Sequence, residues 1–210
     1  MAGSRDLLGR RNECDCEREP CLSSNAFSVH LEQLLIDADQ LADIHLRLRT
    51  GKPGRQFGLA SLNRASVVMC VSAWESYVEE LLRETVEALR PPAPLVGVWP
   101  ALHTHVTGLL NTFNTPNAAN VERLIRNCLG LADVQLSWTW QNCTPAQAAQ
   151  RLTLAMTYRH QIAHGVNPRP IVQHSYSSPL PDFIRRLARC TDEAVRNHLI
   201  SIHGITPWPP

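Results

Sequence analysis

The sequence predicts an all-α domain of five or six helices. Apolar residues recur at steps of three and four over long stretches, prolines and glycines punctuate those stretches, and no alternating strand pattern competes. With 210 residues and 44% hydrophobic content, the chain can bury a sizeable core in one domain. Residues 1–24 mix charges and small polar residues without periodicity and read as a flexible leader. The folded domain is expected over 25–204, followed by a proline-rich tail over 205–210.

The first helix is expected from Phe27 to Arg49, where Leu31, Leu34, Leu35, Leu41, Ile44 and Leu48 recur at mostly helical spacing before Gly51-Lys52-Pro53-Gly54 ends the run. A long central helix follows from Leu59 to Arg90. Its Val67, Val71, Trp74, Val78 and Leu81 alternate steps of four and three, and Leu82, Val86 and Leu89 continue the face. Pro91, Pro92 and Pro94 stop it, and a third helical stretch runs from Trp99 to Phe113. Asn114-Thr115-Pro116-Asn117 reads as a turn before a short helix through Leu129, closed by Gly130. Thr144-Pro145 supplies an N-cap hydroxyl and a first-turn proline for a fifth helix to His164, which Gly165 and Pro168 terminate. The last helix is read from Pro181 to His203, and the Trp208-Pro209-Pro210 tail cannot extend it.

The formal net charge of +1 argues against a protein that coats nucleic acid through bulk electrostatics, so any RNA contact must be focused in a local groove. Lys52 is the one lysine, which leaves nearly all the positive charge as guanidinium, the group suited to forked contacts with phosphate. Genomic base composition is the simpler source of that bias. Seven cysteines, no apolar run of membrane-spanning length and no signal-peptide pattern together suggest a reduced, cytoplasmic setting. Cys14, Cys16 and Cys21 lie close together, yet no fourth ligand stands at zinc-finger spacing, so they read as free thiols.

Most of the chemistry lies in Arg159-His160-Gln161-Ile162-Ala163-His164-Gly165. At about 100° per residue, Leu152, Ala155, Met156, Ile162 and Ala163 share one broad face of the fifth helix, and Arg159 falls in its middle. An unpaired charge buried there would cost several kcal/mol, so Arg159 should meet a carboxylate, a bound anion or a wet groove at an interface. Glu75, on the flank of the central helix's apolar face, is the expected partner if the two helices pack together. His160 and His164 lie one turn apart, about 80° and 120° round from Leu152, and can face one cleft. Arg159 and His164 are about 140° apart with roughly 7.5 Å of rise between them, so only the arginine's length lets both reach one phosphate.

Two blander readings compete. A histidine followed by glycine is what a helix C-terminus favours, because a cation meets the negative dipole end and glycine accepts a left-handed conformation. The His160-x-x-x-His164 spacing permits two metal ligands on one face, but Gln161 replaces the glutamate of a metalloprotease helix and no third ligand is evident, so no metal is assigned. His103 and His105 point apart and read as ordinary histidines.

The Arg-x-x-x-x-His ending of the fifth helix resembles the signature of HEPN (higher eukaryote and prokaryote nucleotide-binding) domains, many of which are metal-independent endoribonucleases. Three segments together resemble the RiboL-PSP-type HEPN domain: Ala65 to Leu82 with Trp74-Glu75-x-Tyr77, Phe113-Asn114-x-Pro116 followed by Val121 and Leu124, and Tyr158 to Gly165. The resemblance covers residues 27–203. It implies a HEPN-like helical bundle acting as a dimer, with the two motifs lining one RNA-binding cleft and with catalytic Arg159 and His164. His160 stands where the family most often has asparagine. Val166 stands where members modified by a nucleotidyltransferase commonly carry tyrosine, which speaks against that form of regulation.

The expected activity is cleavage of single-stranded RNA by attack of its own 2′-hydroxyl on the adjacent phosphate. Imidazole titrates close to neutral pH, which suits His164 to acid or base duty. Arg159 would hold the phosphate, His160 would transfer a second proton or orient RNA, and Glu75 would position Arg159. The alternatives are a non-catalytic HEPN module that binds RNA, nucleotide or a protein partner, and a structural dimerisation domain in which the motif only packs and caps. Toxin, antiphage and RNA-processing roles all suit the family. The expected partners are RNA, a second copy of the chain and a cognate antitoxin or regulatory protein, with no cofactor, no metal and no membrane.

Overall fold

A computed structural model describes residues 23–49, 58–92 and 95–208, and the described residues are all-α with no strand. A π-helical turn, Ala26–Leu31, runs directly into α1, Glu32–Leu48. The helices α2 (Leu59–Ala88), α3 (Trp99–Asn111), α4 (Ala118–Leu129) and α5 (Pro145–Ala163) follow. A single helical turn, α6 (His174–Ser177), precedes α7 (Leu180–His198), which continues as a π-helical turn over Leu199–His203. Six of these helices have twelve residues or more among the described residues. The leader up to residue 22 with Cys14, Cys16 and Cys21, the Gly51-Lys52-Pro53-Gly54 stop, Pro94 and the last two prolines lie outside the described residues.

The thirty residues of α2 contain neither glycine nor proline, so nothing interrupts the apolar face that the other helices cover. Val67, Val71, Trp74, Val78, Leu81 and Leu82 are fully buried along it, and α1, α4, α5, α6 and α7 all pack against it. Side-chain hydrogen bonds fix these contacts: Trp74 Nε1 donates to the Pro116 carbonyl (2.9 Å) and the Tyr77 hydroxyl to the Ala188 carbonyl (2.8 Å). Each satisfies a polar group that would be costly to bury alone.

The first helix meets the core differently from its sequence pattern. Leu31, Leu35, Ala38 and His45 are buried, whereas Ile44 and Leu48 are 41% and 59% exposed. The contact stripe runs through 31, 35, 38 and 45, and Leu34 and Ile44 each precede a stripe residue, so they point about 100° away from it. On the flank of α1, Arg185 of α7 bridges Glu32 and Asp39, with its Nε 2.9 Å and its Nη2 2.6 Å from their carboxylates.

Local signals fix the remaining ends. The Asn117 side chain accepts the Asn120 amide hydrogen at the start of α4, and left-handed Gly130 closes that helix. Thr144 and Gln147 form a reciprocal capping box at the start of α5. The third helix ends at Asn111, two residues before its expected end. The chain beyond His203 adds no helix, but Trp208 packs inward and is 3% exposed. No helix among the described residues is long and apolar enough to cross a membrane.

Candidate functional site

The capping box launches α5 with Leu152, Ala155, Met156 and Tyr158 buried towards the core. Arg159 follows on this side, its side chain 33% exposed, with Nη2 3.9 Å from Glu75 Oε2 of α2. The two helices pack as required for this pair. Glu75 itself is 18% exposed. Burial raises its carboxyl above the usual range, Arg159 opposes that rise and Glu79 adds to it. A contact of this length leaves most of the guanidinium's five N–H donors free for another partner.

The apolar face ends sooner than its sequence pattern. Ile162 is only partly buried and Ala163 is exposed, because α5 leaves the core in its final turn. That turn carries His160 and His164 into solvent, with ring centroids 4.3 Å apart and planes inclined at 58°. The backbone then makes a Schellman closure. The Val166 amide donates to the Gln161 carbonyl (2.8 Å), the Gly165 amide donates to the Ile162 carbonyl (3.1 Å), and Gly165 is left-handed at φ +68°. His164 is the C-cap residue of this motif. Capping therefore accounts for the backbone at His164 and Gly165, while the two exposed rings and the half-buried arginine remain available for chemistry.

Arg159 and Glu75 are thus brought together, as are His160 and His164. Among the described residues no group of three His, Cys, Asp or Glu side chains is placed to hold a metal ion. Burial pushes the Cys70 thiol up to about 12 and the half-buried Cys128 thiol up to about 11.

This chain matches no family model, no curated protein and no solved structure. The functional reading therefore rests on the residues themselves and their arrangement. Two distant parts of the chain meet α2 here: Trp74 holds the loop at Pro116, and Glu75 faces Arg159.

Several features around the site had no local signature in the sequence. Gln161 turns back so that its Oε1 accepts the Arg169 amide hydrogen (3.3 Å), tying the chain after the motif to the last turn of α5. Arg151 donates to the Pro179 carbonyl (3.1 Å) and stacks 4.5 Å over the Phe183 ring, joining α5 to the start of α7. The Arg151 contacts join residues about thirty positions apart in the chain, and the Gln161 contact depends on the path of the loop after α5. The capping box was readable as Thr-x-x-Gln immediately before the helical run.

Proposed function

We propose that this chain is a metal-independent endoribonuclease of the HEPN type that cleaves single-stranded RNA in a cleft shared by two copies. The observation that carries the reading is the coincidence of two features on one helix. A carboxylate-paired arginine remains partly accessible, and the exposed imidazoles of His160, the next residue, and His164, one turn on, stand 4.3 Å apart. An anion holder beside two proton carriers is the minimum set for phosphodiester transfer without a metal.

In the proposed reaction a base removes the 2′-hydroxyl proton, the 2′-oxygen forms a bond to phosphorus, and the bond from phosphorus to the 5′-oxygen breaks. The departing 5′-oxygen takes a proton from an acid. The products are a 2′,3′-cyclic phosphate and a 5′-hydroxyl end. His164 and His160 supply the two proton-transfer groups, Arg159 stabilises the charge on the non-bridging oxygens, and Glu75 orients Arg159. A second copy contributes the facing wall of the cleft, and an antitoxin or regulatory protein is the partner expected to restrain such an activity. A toxin, antiphage or RNA-processing role accommodates this chemistry.

The deciding experiment is RNA cleavage in EDTA by wild type, Arg159→Ala and His164→Ala, each checked for folding by circular dichroism. Wild type should yield cyclic-phosphate ends, and each variant should lose activity by about a hundredfold or more. Persistent cleavage by both folded variants would sink the assignment. A non-catalytic HEPN module binding RNA, nucleotide or a protein is the second reading, favoured by the exposure of His160 and His164 and by the role of His164 as a helix cap. It predicts oligonucleotide binding without turnover.

A further inference from the structure

Beyond the end of α5 the chain folds back over the start of α2 and forms a groove of about 240 Å³. Arg64 of α2 and Arg169 of the returning segment line it together with Asn167, and Pro168 and Val172 are its buried residues. Neither arginine has an acidic partner among the described residues: Arg64 donates only to the Ser61 hydroxyl (3.1 Å). This contrasts with Arg83, Arg126 and Arg185, which all meet carboxylates.

The groove is continuous with the candidate site in two ways. Gln161, next to His160, holds the Arg169 amide, so the wall of the groove is fixed to the histidine turn. On α2, Arg64 and Glu75 are eleven residues apart, which puts them within about 20° of one face and about 16 Å apart along the axis. The α5 helix runs antiparallel to that face: Arg159 is level with Glu75, and the residues after His164 reach Arg64. In chain order from Arg159, the arginine-carboxylate pair is therefore followed by the two imidazoles at the end of α5 and then by a groove with two guanidiniums without carboxylate partners among the described residues.

We infer that the Arg64–Arg169 groove is a phosphate subsite that binds the RNA backbone a few nucleotides from the scissile bond. This inference rests on the ribonuclease reading for the identity of its ligand. Two guanidiniums present forked donors that match phosphate oxygens, the Asn167 amide adds a neutral donor, and buried, apolar Pro168 and Val172 share the lining. Such a subsite gives a chain of net charge +1 its focused grip on a polyanion. It also fixes the direction in which the strand crosses the histidines.

The test uses the full chain and a short 2′-O-methyl RNA oligonucleotide, which binds but lacks the attacking hydroxyl. Arg64→Ala combined with Arg169→Ala should weaken binding about tenfold at low salt and make the slope of log K against log salt shallower by about 1.4. Arg123→Ala, which removes an exposed arginine from a separate cavity beside Asn114 and Asn120, should leave both unchanged. Replacing both groove arginines by lysine should restore much of the salt slope. Wild-type affinity and slope in the folded double alanine variant, or a wild type that does not bind the oligonucleotide, overturns the subsite. If binding is unchanged while RNA cleavage still requires Arg159, the groove is wrong and the ribonuclease stands. If the double variant loses binding and wild type never cleaves RNA, the groove stands and the ribonuclease reading falls.

Discussion

His45 of α1 and His174 of α6 stack ring on ring, with centroids 4.0 Å apart and planes inclined by 9°. Both Nδ1 atoms are buried without a hydrogen-bond partner. Two neutral imidazoles tolerate this arrangement, whereas two cations in face contact repel. Burial lowers the His174 pKa from its ordinary 6.5, and His45 and Arg49 lower it further. The folded group therefore resists a proton that the unfolded chain accepts. The contribution to stability is complete above 6.5 and is lost as pH falls below that value, levelling off once the folded group titrates. Melting temperatures from pH 8 to pH 5 should show this acid-side loss, and His174→Phe, which keeps a ring against His45, should reduce it. An unchanged acid limb in that variant would remove His174 as its cause.

Asp192 works with the opposite sign. It is 2% exposed, both the hydroxyl and the amide of Ser24 donate to it, and burial pushes its pKa up to about 6 from 3.8. Because the folded state holds this proton more tightly, its contribution is complete below 3.8 and is lost as pH rises through about 6, by at most about 3 kcal/mol. Asp192→Asn should remove that slope from urea titrations performed across the interval. The double variant Asp192→Asn/His174→Phe should have the flattest profile of the set.

Glu75→Gln separates positioning from packing. The ion pair is 3.9 Å long and partly open to solvent, so its loss should cost no more than about 1 kcal/mol of stability. On the proposed mechanism, releasing Arg159 should lower kcat for RNA cleavage about tenfold with little change in KM. A large fall in melting temperature with unchanged kcat would instead make Glu75 a structural residue.

Gly165→Ala should destabilise the chain by roughly 1 kcal/mol through its left-handed backbone alone, since an added Cβ at this position meets nothing within 4 Å. Chemical denaturation measures this directly. Gly165→Asn, which tolerates the left-handed region better, should recover part of the loss. Equal stability of the alanine variant and wild type would show that the turn is not held in this conformation.

The helices were legible because their signals are local. The long face from Val67 to Val86, the proline stops and the Thr144-Pro145 start all lie within a few residues of what they determine. The burial of α1 was less legible: apolar Ile44 and Leu48 fit a helical pattern, but the stripe that meets α2 passes through His45 instead. At the candidate site, the Arg159–Glu75 pairing followed from an arginine centred among apolar residues and a carboxylate beside an apolar face. The Arg64–Arg169 groove, the His45–His174 stack and the Ser24–Asp192 bonds depend on how distant elements meet. No spacing within any one of those segments encodes them.

Gly165 also has a directional role. Its left-handed turn sends the backbone from the end of α5 back over the start of α2, and Gln161 secures the returning segment. A single backbone torsion thus sets where the segment carrying Arg169 leaves the imidazole turn. A different torsion there would carry Arg169 away from Arg64, which stays on α2, and so would take the groove apart without altering either side chain.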